Sequence, residues 1–185
     1  AWIKARPALA RWVYAENAMS ADALYRDFNG RYFADFYEQE RMLADQPRMT
    51  FYHTAIARHI QPGDRVIDLG TGTGILAAFA ARRGAARVYA IDHSAILAHA
   101  KTIAAHNGIE NVEFVGKHST EFTLDERVDV IVHEQMGDCL FDEAMLANVA
   151  DLRDRLLKPG GLILPSLFDL YCEPIKVRDE RGVPF

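Results

Sequence analysis

The run Val66-Ile67-Asp68-Leu69-Gly70-Thr71-Gly72-Thr73-Gly74, followed by Asp92 at the end of the next apolar stretch, limits this chain more than any other feature. An apolar run that ends in closely spaced glycines and then takes up a helical pattern reads as a buried strand, a tight turn and a helix. The second apolar run, closing on an acid, reads as the neighbouring strand. A doubly wound sheet holds an adenosine-containing cofactor by this layout. Side chains at Gly70, Gly72 and Gly74 would block the approach of a ligand to the backbone of the turn. Asp92 would accept hydrogen bonds from ribose hydroxyls.

A ribose at the tip of the second strand is common to dinucleotides and S-adenosylmethionine, so the glycine spacing has to choose between them. Dinucleotide turns have the form G-x-G-x-x-G, with the pyrophosphate on the helix N-terminus. Here the glycines alternate as G-x-G-x-G. Asp68 adds an acid two residues before the first glycine, where a diphosphate would be repelled and the ammonium of a methionine moiety attracted. The expected cofactor is S-adenosylmethionine.

Beyond the turn, strand and helix patterns alternate: strand 65–69, helix about 74–83, strand 87–92, helix about 94–106, strand 112–116, strand 128–133, helix about 142–157 and strand 162–164. Lys158-Pro159-Gly160-Gly161 reads as a turn between the last two. Alternation of this kind gives an α/β, Rossmann-like, doubly wound and mostly parallel sheet with ligands at the carboxyl ends of its strands. The preceding residues look helical: Trp2 to Phe28, broken by Asn29-Gly30, then an aromatic-rich piece leading into 40–45, then a helix from Pro47 to about Ile60. The expected division is N-terminal helices over 1–60, a cofactor-binding domain over 61–165, and the start of a C-terminal β-barrel-like region over 166–185.

Composition removes some classes of function. A net charge of −5 gives no general attraction to nucleic acid or to an anionic membrane surface. No apolar run approaches the ~20 residues of a membrane span. Cys139 and Cys172 form no C-x-x-C pair, so a reducing, cytoplasmic setting is the default. His99 and His106 share a helical face but find no third ligand at metal spacing, which favours solvated or capping histidines and no metal site.

A second constellation follows strand 128–133. Glu134 and Glu143 bracket a glycine-containing loop between a strand end and a helix start, so both can face one cleft. Taken singly, Glu143 reads as an acid in a first helical turn and Glu134 as a solvated strand end. Together, beside a cofactor turn, they read as a pair.

Three segments now resemble one family: Asp68 to Leu76, the loop Glu134-x-Met136-Gly137-x-Cys139-Leu140-Phe141-x-Glu143, and Leu157 to Pro165. They look like the protein arginine methyltransferases, the loop being similar to that family's double-glutamate loop. Tyr32-Phe33 through Met42-Leu43-Ala44-Asp45 and Arg48 also resembles the family's N-terminal helices, and the likeness covers roughly residues 30 to 171. The resemblance implies that Arg48 pairs with the methionine carboxylate of the cofactor, that Gly70 and Gly72 border its amino-acid end, and that Asp92 holds its ribose. It implies that Glu134, beside the cofactor, and Glu143 clamp the guanidinium of the substrate, with Met42 next to the reacting nitrogen. Two carboxylates on a guanidinium concentrate its charge away from one nitrogen and aim that nitrogen at the methyl group.

Some positions depart from the family pattern. Gln135 stands where tryptophan is usual and Asp138 where tyrosine is usual, both on the substrate side, and Asp138 would favour strongly cationic substrates. The segment Gly116-Lys117-His118-Ser119-Thr120-Glu121 has no acid at the expected adenine-binding spot, Glu121 being displaced by two. Three readings therefore stand: methyl transfer to arginine in a protein or peptide, methyl transfer to a small amine, guanidine or other nucleophile, or cofactor binding without activity. A dehydrogenase is disfavoured by the glycine spacing and by the lack of a Tyr-x-x-x-Lys pair. Tyr171 to Val177 reads as the first strand of something antiparallel. The expectation is of an incomplete catalyst whose further chain supplies a second groove wall and a homodimer contact.

Overall fold

The computed structural model describes residues 28–136 and 144–171. After a helical segment at 28–32 come α1 (Phe36–Ala44) and α2 (Gln46–His59). There follow β1 (Arg65–Leu69), α3 (Ile75–Arg82), β2 (Arg87–Ile91), α4 (Leu97–His106), β3 (Val112–Val115), a single 3₁₀ turn (Ser119–Glu121), β4 (Val128–His133), α5 (Met145–Leu156) and β5 (Leu157–Leu164). The strands form one sheet in the order β3-β2-β1-β4-β5, every neighbouring pair parallel. The order reverses between β1 and β4, which places a switch point, and hence a ligand crevice, at their carboxyl ends.

The near-continuous Val and Ile runs follow from burial on both faces. On one face Val66, Val88, Ala90, Val130 and Val132 pack with Tyr52 and Ile56 of α2 and Leu76, Ala77 and Ala80 of α3. On the other, Ile67, Leu69, Ile91 and Ile131 pack with Leu152 and Leu156 of α5 and with Phe122. Each fully buried Val, Leu or Ile side chain among these contributes about 1.5–3 kcal/mol.

Local chemistry sets the ends of the first two helices. Asp35 caps α1, its carboxylate accepting from Tyr37 N at 2.8 Å and Glu38 N at 3.3 Å. Asp45 caps α2 by accepting from Arg48 N at 3.2 Å, with Pro47 in the first turn. Arg48 thus enters the fold in the first turn of a capped helix.

Two expectations are corrected. Residues 28–32 are helical, so Asn29-Gly30 sits inside a helical turn and does not break it. The last strand starts at Leu157, not at 162: Leu157 pairs with Val128, and pairing resumes with Leu162 opposite Val130. Lys158 to Gly161 forms the irregularity between them, so its turn chemistry is retained within a strand that pairs on both sides of it. The antiparallel strand expected from Tyr171 onward lies outside the described residues, as do Asp138 and Glu143.

Candidate cofactor and acceptor site

Parallel register brings the tips of the strands level. Leu69 stands opposite Ile91 on one side and His133 on the other, and Ile91 stands opposite Val115. The next residues, Gly70, Asp92, Glu134 and Gly116, therefore leave the sheet side by side. Backbone hydrogen bonds lock these exits: Gly70 N donates to Ile91 O at 3.0 Å, Glu134 N to Leu69 O at 3.1 Å, and Asp92 N to Val115 O at 3.1 Å. A cavity of about 380 Å³ opens above them. Gly70 to Thr73, Asp92 to Ser94, Lys117 to Thr120, and Glu134 with Gln135 line it from the sheet side. Gln39 and Met42 of α1, Arg48 and Tyr52 of α2, and Ala147 and Asn148 of α5 close it.

The three glycines of the turn have different duties. A Cβ on Gly70 would lie 2.6 Å from the Glu134 carbonyl oxygen and 3.2 Å from Gln135 Cγ, and φ there is +76°. Gly70 is therefore required by the close passage of the β1 and β4 exits, which lies within the protein. A Cβ on Gly72 would meet Gln39 Oε1 at 2.8 Å, where α1 folds down onto the turn. Gln39 is held there by donation from Nε2 to Phe33 O at 2.7 Å. Gly74 faces Phe114 and Ala100 and does not line the cavity.

Asp68, expected beside a ligand ammonium, lies beneath the turn and away from the cavity wall. Its Oδ2 accepts from Thr71 Oγ1 at 2.6 Å and from Ala77 N at 2.9 Å, bracing the strand-to-helix connection. Complete burial, opposed by these two bonds and reinforced by Asp92 and Glu134, pushes its carboxyl from 3.8 up to about 7. The folded chain therefore holds this proton more tightly than the unfolded chain. The contribution of Asp68 to stability is greatest below about pH 4, falls as pH rises towards 7, and is level above that. Asp68→Asn should lose this decline between pH 4 and 7 in denaturant titrations; an identical pH slope in the two proteins would show that Asp68 does not titrate in that range.

Asp92 sits where the sequence places it. Its Oδ2 accepts from Gly72 N at 3.0 Å and its Oδ1 from Ser94 N at 2.8 Å, tying the turn after β1 to the tip of β2. Each oxygen keeps a further lone pair for a ligand hydroxyl.

At the other end, Arg48 Nη2 reaches Glu134 Oε2 at 2.5 Å and lies 3.6 Å from Met42 Sδ. Burial raises the Glu134 carboxyl above its usual value, against the opposing pull of Arg48 and of the Met136 amide. Tyr52, one helical turn after Arg48 and so on the same face of α2, donates its hydroxyl to His133 O at 3.0 Å. That bond fixes α2 on the end of β4 and so fixes Arg48 over Glu134. Burial raises the Tyr52 phenol, so it stays protonated as a donor.

Of the expected site residues, the structure gathers Met42, Arg48, Gly70, Gly72, Asp92 and Glu134 around one cavity and sets Asp68 and Gly74 behind it. Gln39, Tyr52, Ser94 and Asn148 also line it and were not foreseen, and Ser119 lines it from the segment expected at the adenine. Only Tyr52 carried a signal, its spacing of four from Arg48. His106 Nδ1 lies 2.9 Å from Thr102 O, and His99 packs on Phe36 with ring centres 4.5 Å apart.

Four cavity-lining residues, Arg48 (Nε), Ser94 (Oγ), Ser119 (Oγ) and Gln135 (Oε1), each hold a buried polar atom with no hydrogen-bond partner among the described residues. Unmet polar atoms of this kind are costly in a dry wall. A polar ligand spanning the cavity from Arg48 to Ser119 fits them.

The chain is similar in sequence and fold to known proteins. A family model described as a methyltransferase domain matches residues 66–161. The chain is 42% identical over 170 residues to a probable protein arginine N-methyltransferase 6 of Arabidopsis thaliana, a match covering 89% of this chain and 39% of that protein. Among solved structures, Arabidopsis thaliana protein arginine methyltransferase 10 superposes with a TM-score of 0.70 at 38% identity, over 74% of this chain and 40% of that one. The Trypanosoma brucei PRMT1 enzyme-prozyme heterotetrameric complex with AdoHcy gives 0.68 at 36% identity, over 71% and 42%. The chain spans about two fifths of the length of these relatives.

Proposed function

The chain belongs to the protein arginine methyltransferase family, and from that premise we propose that it binds S-adenosylmethionine and moves a methyl group to the guanidinium of an arginine held by Glu134 and Glu143. The observation that carries the reading is the Arg48–Glu134 pair at one end of a cavity that has Asp92 at its middle, on the tip of β2. Such a cavity complements a zwitterionic amino acid joined to a ribose. Relatives named for this activity, and one neighbour solved with AdoHcy, support it.

When bound, S-adenosylmethionine supplies a methyl group on a positively charged sulfur. Arg48 would hold the carboxylate with the guanidinium face not spent on Glu134, and Asp92 would hold the ribose hydroxyls. Glu134 accepts hydrogen bonds from the substrate guanidinium, whose pKa above 12 makes it a poor nucleophile while its charge is spread evenly. Arg48 keeps Glu134 in place during this, and Met42 limits the room beside the reacting nitrogen. The product nitrogen must shed a proton, and a carboxylate lifted by burial is a suitable receiver. Glu143 completes the clamp in this proposal.

Mass spectrometry after incubation with methyl-labelled S-adenosylmethionine tests the reading. An arginine peptide should gain label on its guanidinium, and the same peptide with lysine should not. Label on free arginine or a small amine, with none on the peptide, would instead identify a small-molecule methyltransferase. Asp92→Ala should weaken S-adenosylhomocysteine binding by about 1.5–3 kcal/mol, the scale of a hydrogen bond to a charged group. Unchanged affinity in calorimetry would remove Asp92 from the ribose.

A further inference from the structure

We propose that Met42 is an oxidation site whose sulfoxide takes the Arg48 N–H that the carboxylate of the cofactor needs, so that peroxide weakens cofactor binding and reduction of the sulfoxide restores it. The inference rests on the cofactor reading above and concerns control of the same cavity. Met42 is half-buried on α1 and lines the cavity. Arg48 Nη2 donates to its sulfur at 3.6 Å. Of the described methionines, Met42, Met49, Met136 and Met145, Met42 alone accepts a hydrogen bond at sulfur. Met145 is 3% exposed and Met136 packs against the core, whereas Met49 lines the same cavity without such a contact.

The geometry at Nη2 decides the consequence. A guanidinium holds a carboxylate by two parallel N–H bonds, from Nη2 with Nη1 or from Nη2 with Nε. Both forks use Nη2, which carries one N–H for each. Here Nη2 is shared between Glu134 Oε2 at 2.5 Å and the Met42 sulfur, while Nε is buried with no partner among the described residues. A thioether is a weak acceptor, so the N–H resting on Met42 is released to an arriving carboxylate at little cost. Oxidation places a polar oxygen acceptor on the same sulfur. A hydrogen bond to it from a charged donor is about twice as strong as a neutral one. Once the sulfoxide holds that N–H, Glu134 and Met42 occupy both forks.

The step needs an oxidant of the hydroperoxide class, and hydrogen peroxide is small enough to enter a cavity of about 380 Å³. The Sδ lone pair attacks one peroxide oxygen and the O–O bond breaks. The transferred oxygen gives its proton to the departing hydroxide, which leaves as water, and the sulfur is left as the sulfoxide. Sulfur loses two electrons and the peroxide gains them. Negative charge builds on the departing oxygen, and the Arg48 guanidinium beside the sulfur stabilises it.

Calorimetry with S-adenosyl-L-homocysteine on the full chain, before and after hydrogen peroxide, tests this without relying on activity, and peptide mass spectrometry locates the added oxygen. The Met42 peptide should gain one oxygen, and the dissociation constant should rise at least about tenfold, the scale of one charged hydrogen bond. Methionine sulfoxide reductases A and B together should restore the affinity, whereas dithiothreitol alone, which reverses disulfides and sulfenic acids at cysteine, should not. The reductase arm needs no variant to fold. Met42→Leu, compared with itself, should bind equally before and after peroxide, and Met49→Leu should lose affinity as the unaltered chain does. An unoxidised Met42, an unchanged affinity with Met42 oxidised, recovery in dithiothreitol alone, or an equal loss in Met42→Leu would overturn this inference and leave the cofactor reading intact. No binding of S-adenosylhomocysteine by the untreated chain would overturn both.

Discussion

Replacing Glu134 by glutamine is expected to slow methyl transfer to an arginine peptide by about 10²–10³-fold, the scale of removing one charge-directed contact from a transition state. S-adenosylhomocysteine affinity should change by less than about tenfold. The amide keeps the shape of the side chain and a hydrogen bond to Arg48, now 2.5 Å away as an ion pair. It loses the negative charge that would concentrate positive charge on the far side of the guanidinium. The pH profile separates this from a structural effect. The carboxylate is the active form and burial raises its pKa, so turnover of the unaltered protein should climb on an acid limb lying above the ordinary glutamate value. That limb should vanish in the variant. Equal turnover and equal pH profiles in the two proteins would leave Glu134 as a structural partner of Arg48 alone.

Gly70→Ala is expected to lower the unfolding midpoint by about 5–10 °C, corresponding to roughly 2–3 kcal/mol in a domain of this size, and to abolish measurable cofactor binding. A non-glycine residue in the left-handed region costs about 1–2 kcal/mol. At Gly70 the new Cβ would also sit 2.6 Å from the Glu134 carbonyl oxygen, a backbone atom just past the end of β4 that is held by the Glu134 N to Leu69 O bond and cannot swing aside as a side chain would. Relief would require the β1 and β4 exits to part, moving Glu134 away from Arg48. Gly108 is the control: its φ is +63°, yet a Cβ there meets nothing within 4 Å, so Gly108→Ala should show only the smaller backbone cost. Equal losses in the two variants would mean that the Glu134 contact at Gly70 carries no weight.

The contrast between these glycines also shows how much the sequence disclosed. β1 and β4 were legible to the residue because strands buried on both faces are written as unbroken apolar runs closed by turn residues. β5 was not, because Leu157 and Leu162 are joined to one strand only by their partners Val128 and Val130, about thirty residues away. The chemistry of Gly70 was read correctly as a need for no side chain, but the obstructing atom belongs to Glu134, and only the parallel register brings it near. Asp68 was assigned to the ligand on charge alone; burial and its bonds to Thr71 and Ala77 make it a brace. Arg48, Asp92 and Glu134 were found through motif positions and converge on one cavity. Gln39 had no local signal, since its contact with Gly72 depends on how α1 folds over the sheet.

A calorimetric titration of the chain with S-adenosyl-L-homocysteine, and separately with NAD, asks most directly whether this cavity is built for a methyl donor. A single saturable site for S-adenosylhomocysteine and no binding heat with NAD is the expected result, because Asp92 and Arg48 fit a ribose joined to an amino acid while the alternating glycine turn offers no pyrophosphate seat. Saturable NAD binding, or no binding of S-adenosylhomocysteine, would contradict the assignment of the cavity and with it the roles of Arg48, Asp92 and Glu134.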